Sequence, residues 1–439
     1  MSVTDFVLGD VDAPEVALEF GATLLIDTLG VAAGAAPMEA GRIARDHAVR
    51  FMGGTGADAA TMLFDGRQAS LPGAAFAAAT QIDNLDAHDG LNETKGHIGC
   101  AVVPALCTFA EGRSVSARAA LEALVMAYEV SARAAVALHG SVSDYHTSGA
   151  WNALGVAALG ARLRGLSAYE LRQAFGIAEY HGPRSQMMRE IANPTMLHDG
   201  SGMGAMVGTM AVLLAEDGFT GAPAVTVEDV TEAWADLGSR WTILENYIKP
   251  YPICRWAHAS LDALGAVMAG HGLGAGDIAQ VEVGTFAEAA ALFPDMPATS
   301  SQAQYSLRFA LASLAVKGQV GPSEIMGDAL RDPEVAAVLP RIEVREIARH
   351  SAAFPAHRIS DVTVVTADGR RLASGDVHAS GGPEAPMGMA AVEAKFHRMA
   401  VPLAARRRQA IWALRGRLTD PEVPFSDLLN LLHPAPEAN

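Results

Sequence analysis

The chain has 439 residues, half of them hydrophobic, and a formal net charge of −17. That is more apolar chain than one ordinary core uses, so two compact domains are expected. The acidic balance, with no clustered stripe of Lys and Arg, excludes a nucleic-acid-binding surface.

In chain order, the N-terminus MSVTDFVLGDVDAPEVALEF is acidic and lacks the basic start and uninterrupted apolar centre of a secretory signal, so a cytoplasmic location is expected. From about residue 10 to 245, Ala- and Leu-rich segments follow helical spacing. In ARAALEALVMAYEVSARAAVALHG, for example, Leu121, Leu124, Val125, Tyr128 and Ala132 share one face. This half predicts an all-helical domain. Its most apolar stretches, such as MGAMVGTMAVLLAEDGF, meet an acid or a glycine before spanning length, so they read as buried helices and no membrane partner is expected. Cys100 and Cys107 stand two turns apart on one expected helix, too far for a disulfide, and Cys254 is remote, which fits a reducing compartment. After KPYPIC the texture changes to strand-like runs: QVEVGTF, RIEVREI and DVTVVTADGRRLASGDV, the last carrying the DG turn of a hairpin. With the helical segment YSLRFALASLAVKG between them, residues from about 255 to 390 read as a smaller α+β domain. From Glu393 the pattern is helical again, up to a Pro-rich end, HPAPEAN.

Several chemistries lack an anchor. Gly200, Gly202 and Ala205 fit G-x-G-x-x-A, but no strand precedes them, so small residues for close helix packing are the better reading. His88, Asp89 and His97 match no common zinc spacing, and neither CxxC nor HExxH occurs, so no metal is expected. GxSxG is absent, which removes a serine nucleophile of the elbow type. What remains is a set of polar islands in apolar helical sequence. The first, DAHDGLNETKGH, holds Asp86, His88, Asp89, Lys95 and His97; the second, YHTSGAWNALG, holds His146 and Thr147. The third, PTMLHDGSG, holds His198, and the fourth, IKPYPICRWAHASLDAL, holds Lys249, Arg255 and His258. Singly each reads as a cap or a turn former, but four sets of titratable groups in a two-domain chain point to an active site. Two of the four lysines lie in these islands, where a fixed charge alone would be served by Arg.

The order of the islands resembles the MmgE/PrpD family of dehydratases, decarboxylases and epimerases. GHIGCAVVPALCTFAEG, YHTSGAWNALGVAALGARLRGLS, GSGMGAMVGTMAVLLAEDGFTG, KPYPICRWAH and AQYSLRFALA each resemble a family segment, in the family's order. The resemblance implies a mainly α fold: a helical domain of residues 1–254 and 393–439, an α+β lid domain of residues 255–392, and a homodimer. Carried across, the family's D-x-D-D loop falls on Asp86 and Asp89, with His88 in place of the first Asp of the pair. The catalytic-region histidine falls on His97, the W-H-P-T histidine on His146 and the K-P-Y-P lysine on Lys249. Thr195 stands where the family has lysine, and Lys95, in a loop one residue longer, is expected to supply that charge.

Proton removal next to a carboxylate suits these groups, because the enediolate-like state carries extra negative charge that placed cations and a matched base stabilise. His97 and His146 are expected as base and acid, with Asp86 and Asp89 orienting one of them. Lys95, Lys249 and Arg255 are expected to hold substrate carboxylates, and His88, Thr147, His198, His258 and Tyr305 to line the same site. The expected partner is a small polycarboxylate, with no organic cofactor. The alternative is a carboxylate-binding protein that keeps the fold without the catalysis.

Overall fold

The computed structural model describes residues 1–433, so all of the Pro-rich end beyond His433 lies outside the described residues. The chain divides into two compact units. The first comprises Met1–Met187, Asp199–Asn246 and the chain from Glu393 onward; the second comprises Met188–His198 and Tyr247–Val392.

The first unit is built on helices α1 (Glu15–Ala35), α2 (Leu71–Asp83), α3 (Gly99–Ala110), α4 (Ala117–Ser141), α5 (Gly149–Arg164), α6 (Ala168–His181) and α7 (Ser201–Glu216). Local chemistry starts several of them. The Ser116 hydroxyl accepts from Ala119 N–H at 3.1 Å at the head of α4, and Ser167 and Glu170 form a reciprocal capping box on α6. α1 is long and apolar enough to cross a membrane by length and composition, yet 83% of that window is buried inside the protein, as in a core helix.

This half is not wholly helical. Strands β1 (Ala59–Thr61) and β2 (Gln68–Ser70) pair antiparallel, and three residues each are too few to show an alternating pattern in sequence. The glycine cluster at the start of α7 packs helices. A Cβ on Gly204 would stand 2.5 Å from the Gly149 carbonyl oxygen, and one on Gly208 2.5 Å from that of Ala153, so α7 lies backbone-close to α5. The expectation that α7 is buried needs correcting on one face, where Met203 and Met210 are exposed.

The second unit carries a four-stranded mixed sheet of β3 (Ile278–Thr285), β4 (Ile342–Glu346), β5 (Ile359–Thr366) and β6 (Arg371–His378), in the order β4-β3-β5-β6. β3 and β4 run parallel; β5 pairs antiparallel with β3 and with β6. Strict alternation of burial along β5 turns Ser360, Val362, Val364 and Thr366 inward, where helix α8 (His258–His271) packs across β5 and β6 and α9 (Leu307–Lys317) packs on α8.

Helix α10 (Met389–Met399) brings the tail into the first unit. Two glycines of α1, one helical turn apart, make room for it: the Phe396 ring lies 2.5 Å from where a Gly30 Cβ would stand, and the Met399 carbonyl fills that place at Gly34. Between them Lys395 reaches in. Its Nζ donates to Asp27 Oδ2 at 2.5 Å and to the Ala87 carbonyl at 2.7 Å, and both charged side chains are completely buried.

Removing one partner of such a buried pair strands the other. Lys395→Met should therefore lower unfolding free energy in urea by about 3–5 kcal/mol, and adding Asp27→Leu should recover most of the loss. A single variant within about 1 kcal/mol of wild type would show that the pair is not structural in this sense.

Candidate active site

The loop between α2 and α3 is tied to helix ends by carboxylates. Asp89 Oδ1 accepts from Gly99 N–H at 3.1 Å, capping α3 from ten residues upstream. Gly99 is required there: a Cβ would lie 2.5 Å from the Tyr128 hydroxyl oxygen and 3.0 Å from Thr28 Oγ1, and would overlap Asp89 Oδ1. Asp83 acts in the same way on α7, with Oδ2 accepting from Ser201 N–H at 3.0 Å. Asp86 and Lys95 sit in the left-handed backbone region at φ of 52° and 54°, which a short polar Asp tolerates well and a long Lys less so.

These carboxylates also place the histidines. His97 Nδ1 lies 2.7 Å from the Asp89 carbonyl oxygen; a carbonyl only accepts, so Nδ1 carries the proton and Nε2 is the basic nitrogen. Nε2 stands 3.9 Å from Asp199 Oδ2, close enough to stabilise an imidazolium. The backbone is held as firmly. His97 N–H donates to Ser148 Oγ at 3.1 Å, Ser148 Oγ donates to Asp199 Oδ1 at 2.8 Å, and Asn152 Nδ2 donates to the His97 carbonyl at 2.8 Å. His88 is fully buried, with Nε2 3.3 Å from Asp83 Oδ1 and its ring 4.5 Å from that of His97. Asp86 completes the group: it, His88 and His97 each offer a polar atom within 4.8 Å of the others. Asp83, His88 and Cys100 do the same, so either trio has the spacing to hold a metal ion.

Burial first, and then the Asp27 charge, pushes the Asp89 carboxyl up to about 7. Burial, with Asp199 and Asp86 as like-charged neighbours, raises Asp83 well above the ordinary carboxylate range. Both fit a cluster in which several carboxylates share little solvent.

A second group lies along residues 139–148. His146 N–H donates to His139 Nε2 at 3.3 Å, and the two rings stack at 6.4 Å. Lys95 Nζ stands 4.7 Å over the Tyr145 ring, whose hydroxyl donates to the Lys95 carbonyl. Burial, and then the Lys95 charge, lowers His139 to about 4; burial and then Arg184 lower His146, so both are neutral at neutral pH. His146 Nδ1 is buried with no hydrogen-bond partner. Thr147 is spoken for: its N–H donates to the Ser185 carbonyl at 2.9 Å and its hydroxyl to that of Pro183 at 3.0 Å.

In the second unit, the Arg255 guanidinium stacks 4.3 Å over Tyr247, donates through Nη2 to the Ala379 carbonyl at 2.9 Å and through Nη1 to that of Ser380 at 2.5 Å. Its Nε is buried without a partner, and burial brings its pKa down to about 10, which leaves it charged at neutral pH. His258 donates from Nε2 to the Ile253 carbonyl at 3.0 Å and turns Nδ1 to Arg255 Nη1 at 3.4 Å. The His198 and Tyr305 rings are 5.6 Å apart, and Lys249 is fully buried. Thr195, at the family's lysine position, is exposed and turns its hydroxyl to Glu190, 2.8 Å from Oε2.

The structure thus gathers Asp86, His88, Asp89 and His97 in one cluster, sets Lys95 beside Tyr145 and His139, and pairs Arg255 with His258 and His198 with Tyr305. Sequence reading missed Asp83, His139, Tyr145, Ser148, Asn152, Asp199 and the Asp27–Lys395 pair. Asp199 stood one residue from His198 in an island already singled out. Tyr145, Ser148 and Asn152 stood in the second island, beside His146 and Thr147, whereas Asp83, His139 and the Asp27–Lys395 pair carried no local signal.

Fold and cluster together define a mainly helical protein, with a small mixed sheet in its C-terminal part, in which carboxylates of the histidine cluster are also helix caps. Residues 10–239 match the MmgE/PrpD N-terminal domain and residues 251–418 the MmgE/PrpD C-terminal domain, so the chain belongs to the MmgE/PrpD family. No curated protein matches it.

An acid raised from 3.8 unfolded to about 7 folded contributes its full stability only below the lower value and loses it as pH climbs through the upper. Urea stability measured from pH 4 to 7 should therefore fall less steeply in Asp89→Asn than in wild type. Parallel profiles would show that Asp89 is ionised throughout.

Proposed function

We propose that this protein is a dehydratase-type enzyme acting on a small di- or tricarboxylate, with His97 moving the proton next to a carboxylate and no organic cofactor. Family membership supports the dehydratase class. The observation that carries the residue assignment is the fixed tautomer of His97, with Nδ1 on the Asp89 carbonyl and basic Nε2 beside Asp199.

In the proposed step, Nε2 accepts the proton from the carbon next to a substrate carboxylate, and the C–H electron pair moves into that carboxylate as an enediolate. Asp199 stabilises the imidazolium so formed. The pair then returns to form a carbon–carbon double bond as the β-hydroxyl leaves as water, taking up the proton that the His97 imidazolium gives back. Reprotonation on the other face would give an epimerase instead, and the shared first step is the part these residues support. His146, kept neutral and with Nδ1 open, is the proposed hydrogen-bonding partner of the departing oxygen. Lys95, Lys249 and Arg255 are the proposed carboxylate holders, Arg255 through its open Nε–H. In this reading Asp89, Asp86 and His88 position His97.

A panel of hydroxylated and unsaturated di- and tricarboxylates, followed by NMR, tests the reading. Wild type should turn over at least one member, and His97→Gln should lower kcat/KM by about 10²–10⁴. His97 is buried and bonded rather than a solvated loop residue, so melting is recorded alongside. Turnover of His97→Gln within about tenfold of wild type, or an inert wild type, would contradict the proposal.

A further inference from the structure

Outside the residues assigned above, a second donor set lies on the surface of the second unit. His357, His378 and Glu384 each bring one ligand atom within 4.8 Å of the other two. The β5–β6 ladder sets the two histidines. Ile359 pairs with His378, and the Ala379 N–H to Arg358 carbonyl bond at 3.0 Å carries the register one residue further. His357 therefore stands opposite Ser380, two residues from His378, and both imidazoles leave the same face as diagonal neighbours. Their ring centroids are 5.6 Å apart, nearly edge-on. Glu384 closes the set with Oε1 3.0 Å from His357 Nδ1, the separation of two adjacent ligands on an ion bound at about 2.0–2.1 Å.

A neighbouring trio shows what an already filled set looks like. His350, Asp361 and Asp376 are equally close together, but Arg349 Nη2 bonds Asp361 at 2.9 Å and Asp376 at 2.6 Å, so a guanidinium takes the place of an ion. At the His357 set the bonding is between prospective ligands themselves, and 47% and 30% exposure of His357 and Glu384 leaves both open to an ion from solvent. Two imidazoles and a carboxylate, with room for water, form a borderline donor set that takes Zn²⁺ in preference to Ca²⁺ or Mg²⁺.

We propose that His357, His378 and Glu384 form a Zn²⁺-binding clip on the second unit. The clip has a consequence for Arg255, whose two carbonyl partners, Ala379 and Ser380, lie between His378 and Glu384. An ion held at both ends of this segment restrains the backbone that grips the guanidinium. Binding itself is independent of the proposed reaction; only the link to Arg255 rests on that reading.

Full-length protein stripped with chelator and titrated with ZnCl₂ by calorimetry tests the clip. Wild type should bind with Kd below about 100 μM and melt at higher temperature with Zn²⁺ than with Mg²⁺. His357→Gln, His378→Gln and Glu384→Gln should each weaken that binding at least tenfold, while His350→Gln leaves it unchanged. All three substitutions lie at the surface, and circular dichroism checks each fold. Absence of Zn²⁺ binding in this range, or binding that survives the His357→Gln, His378→Gln double substitution and so belongs to the buried Asp–His trios, would overturn the proposal.

Discussion

Everything in the His97 loop hangs on a completely buried ion pair. Lys395, from the C-terminal tail, joins Asp27 of α1 to the carbonyl of Ala87 near the start of the loop. Burying two charges costs several kcal/mol each unless they meet each other and further polar groups, and here the further group is the backbone of the loop itself. The tail therefore fixes the conformation from which Asp86, His88 and Asp89 point. Gly30 and Gly34 serve the same end, since larger residues would push α10 outward and take the ammonium with it.

A second economy lies in the carboxylates. Asp89 caps α3 while its own carbonyl fixes the His97 tautomer, Asp83 caps α7 and holds His88, and Asp199 holds Ser148, which receives the His97 N–H. The carboxylates gathered around the histidines thus coincide with positions that start helices. The site's geometry inherits the rigidity of the bundle, because moving an imidazole would uncap a helix. The cost appears as carboxyl groups pushed upward by burial, Asp89 to about 7.

Much of this was legible in sequence wherever the signal was local. The 3.6-residue period of α4, the DG turn between β5 and β6, and the packing role of the small residues that open α7 each depend on neighbours within a few residues. The polar islands were legible too, because charged loops beside apolar helices are conspicuous. What stayed hidden were pairings across the chain. Nothing around Lys395 indicates that its partner is Asp27, 368 residues away, and a histidine at the end of α4 looks like a helix C-cap until His146 is stacked on it. For the same reason the burial of His97 did not show, and Thr147, expected to line the site, spends both its polar groups on the 183–185 backbone.

The central claim is that the His97 cluster takes a proton from the carbon beside a carboxylate. Solvent isotope exchange reads that event whether or not the later steps proceed. Wild-type protein incubated in D₂O with candidate polycarboxylates should place deuterium at the α-carbon of an acid it binds, and His97→Gln should bind the same acid without exchange. Tight binding of an acid by wild type with no deuterium at any carbon next to a carboxylate would contradict the account and leave a carboxylate-binding protein in its place.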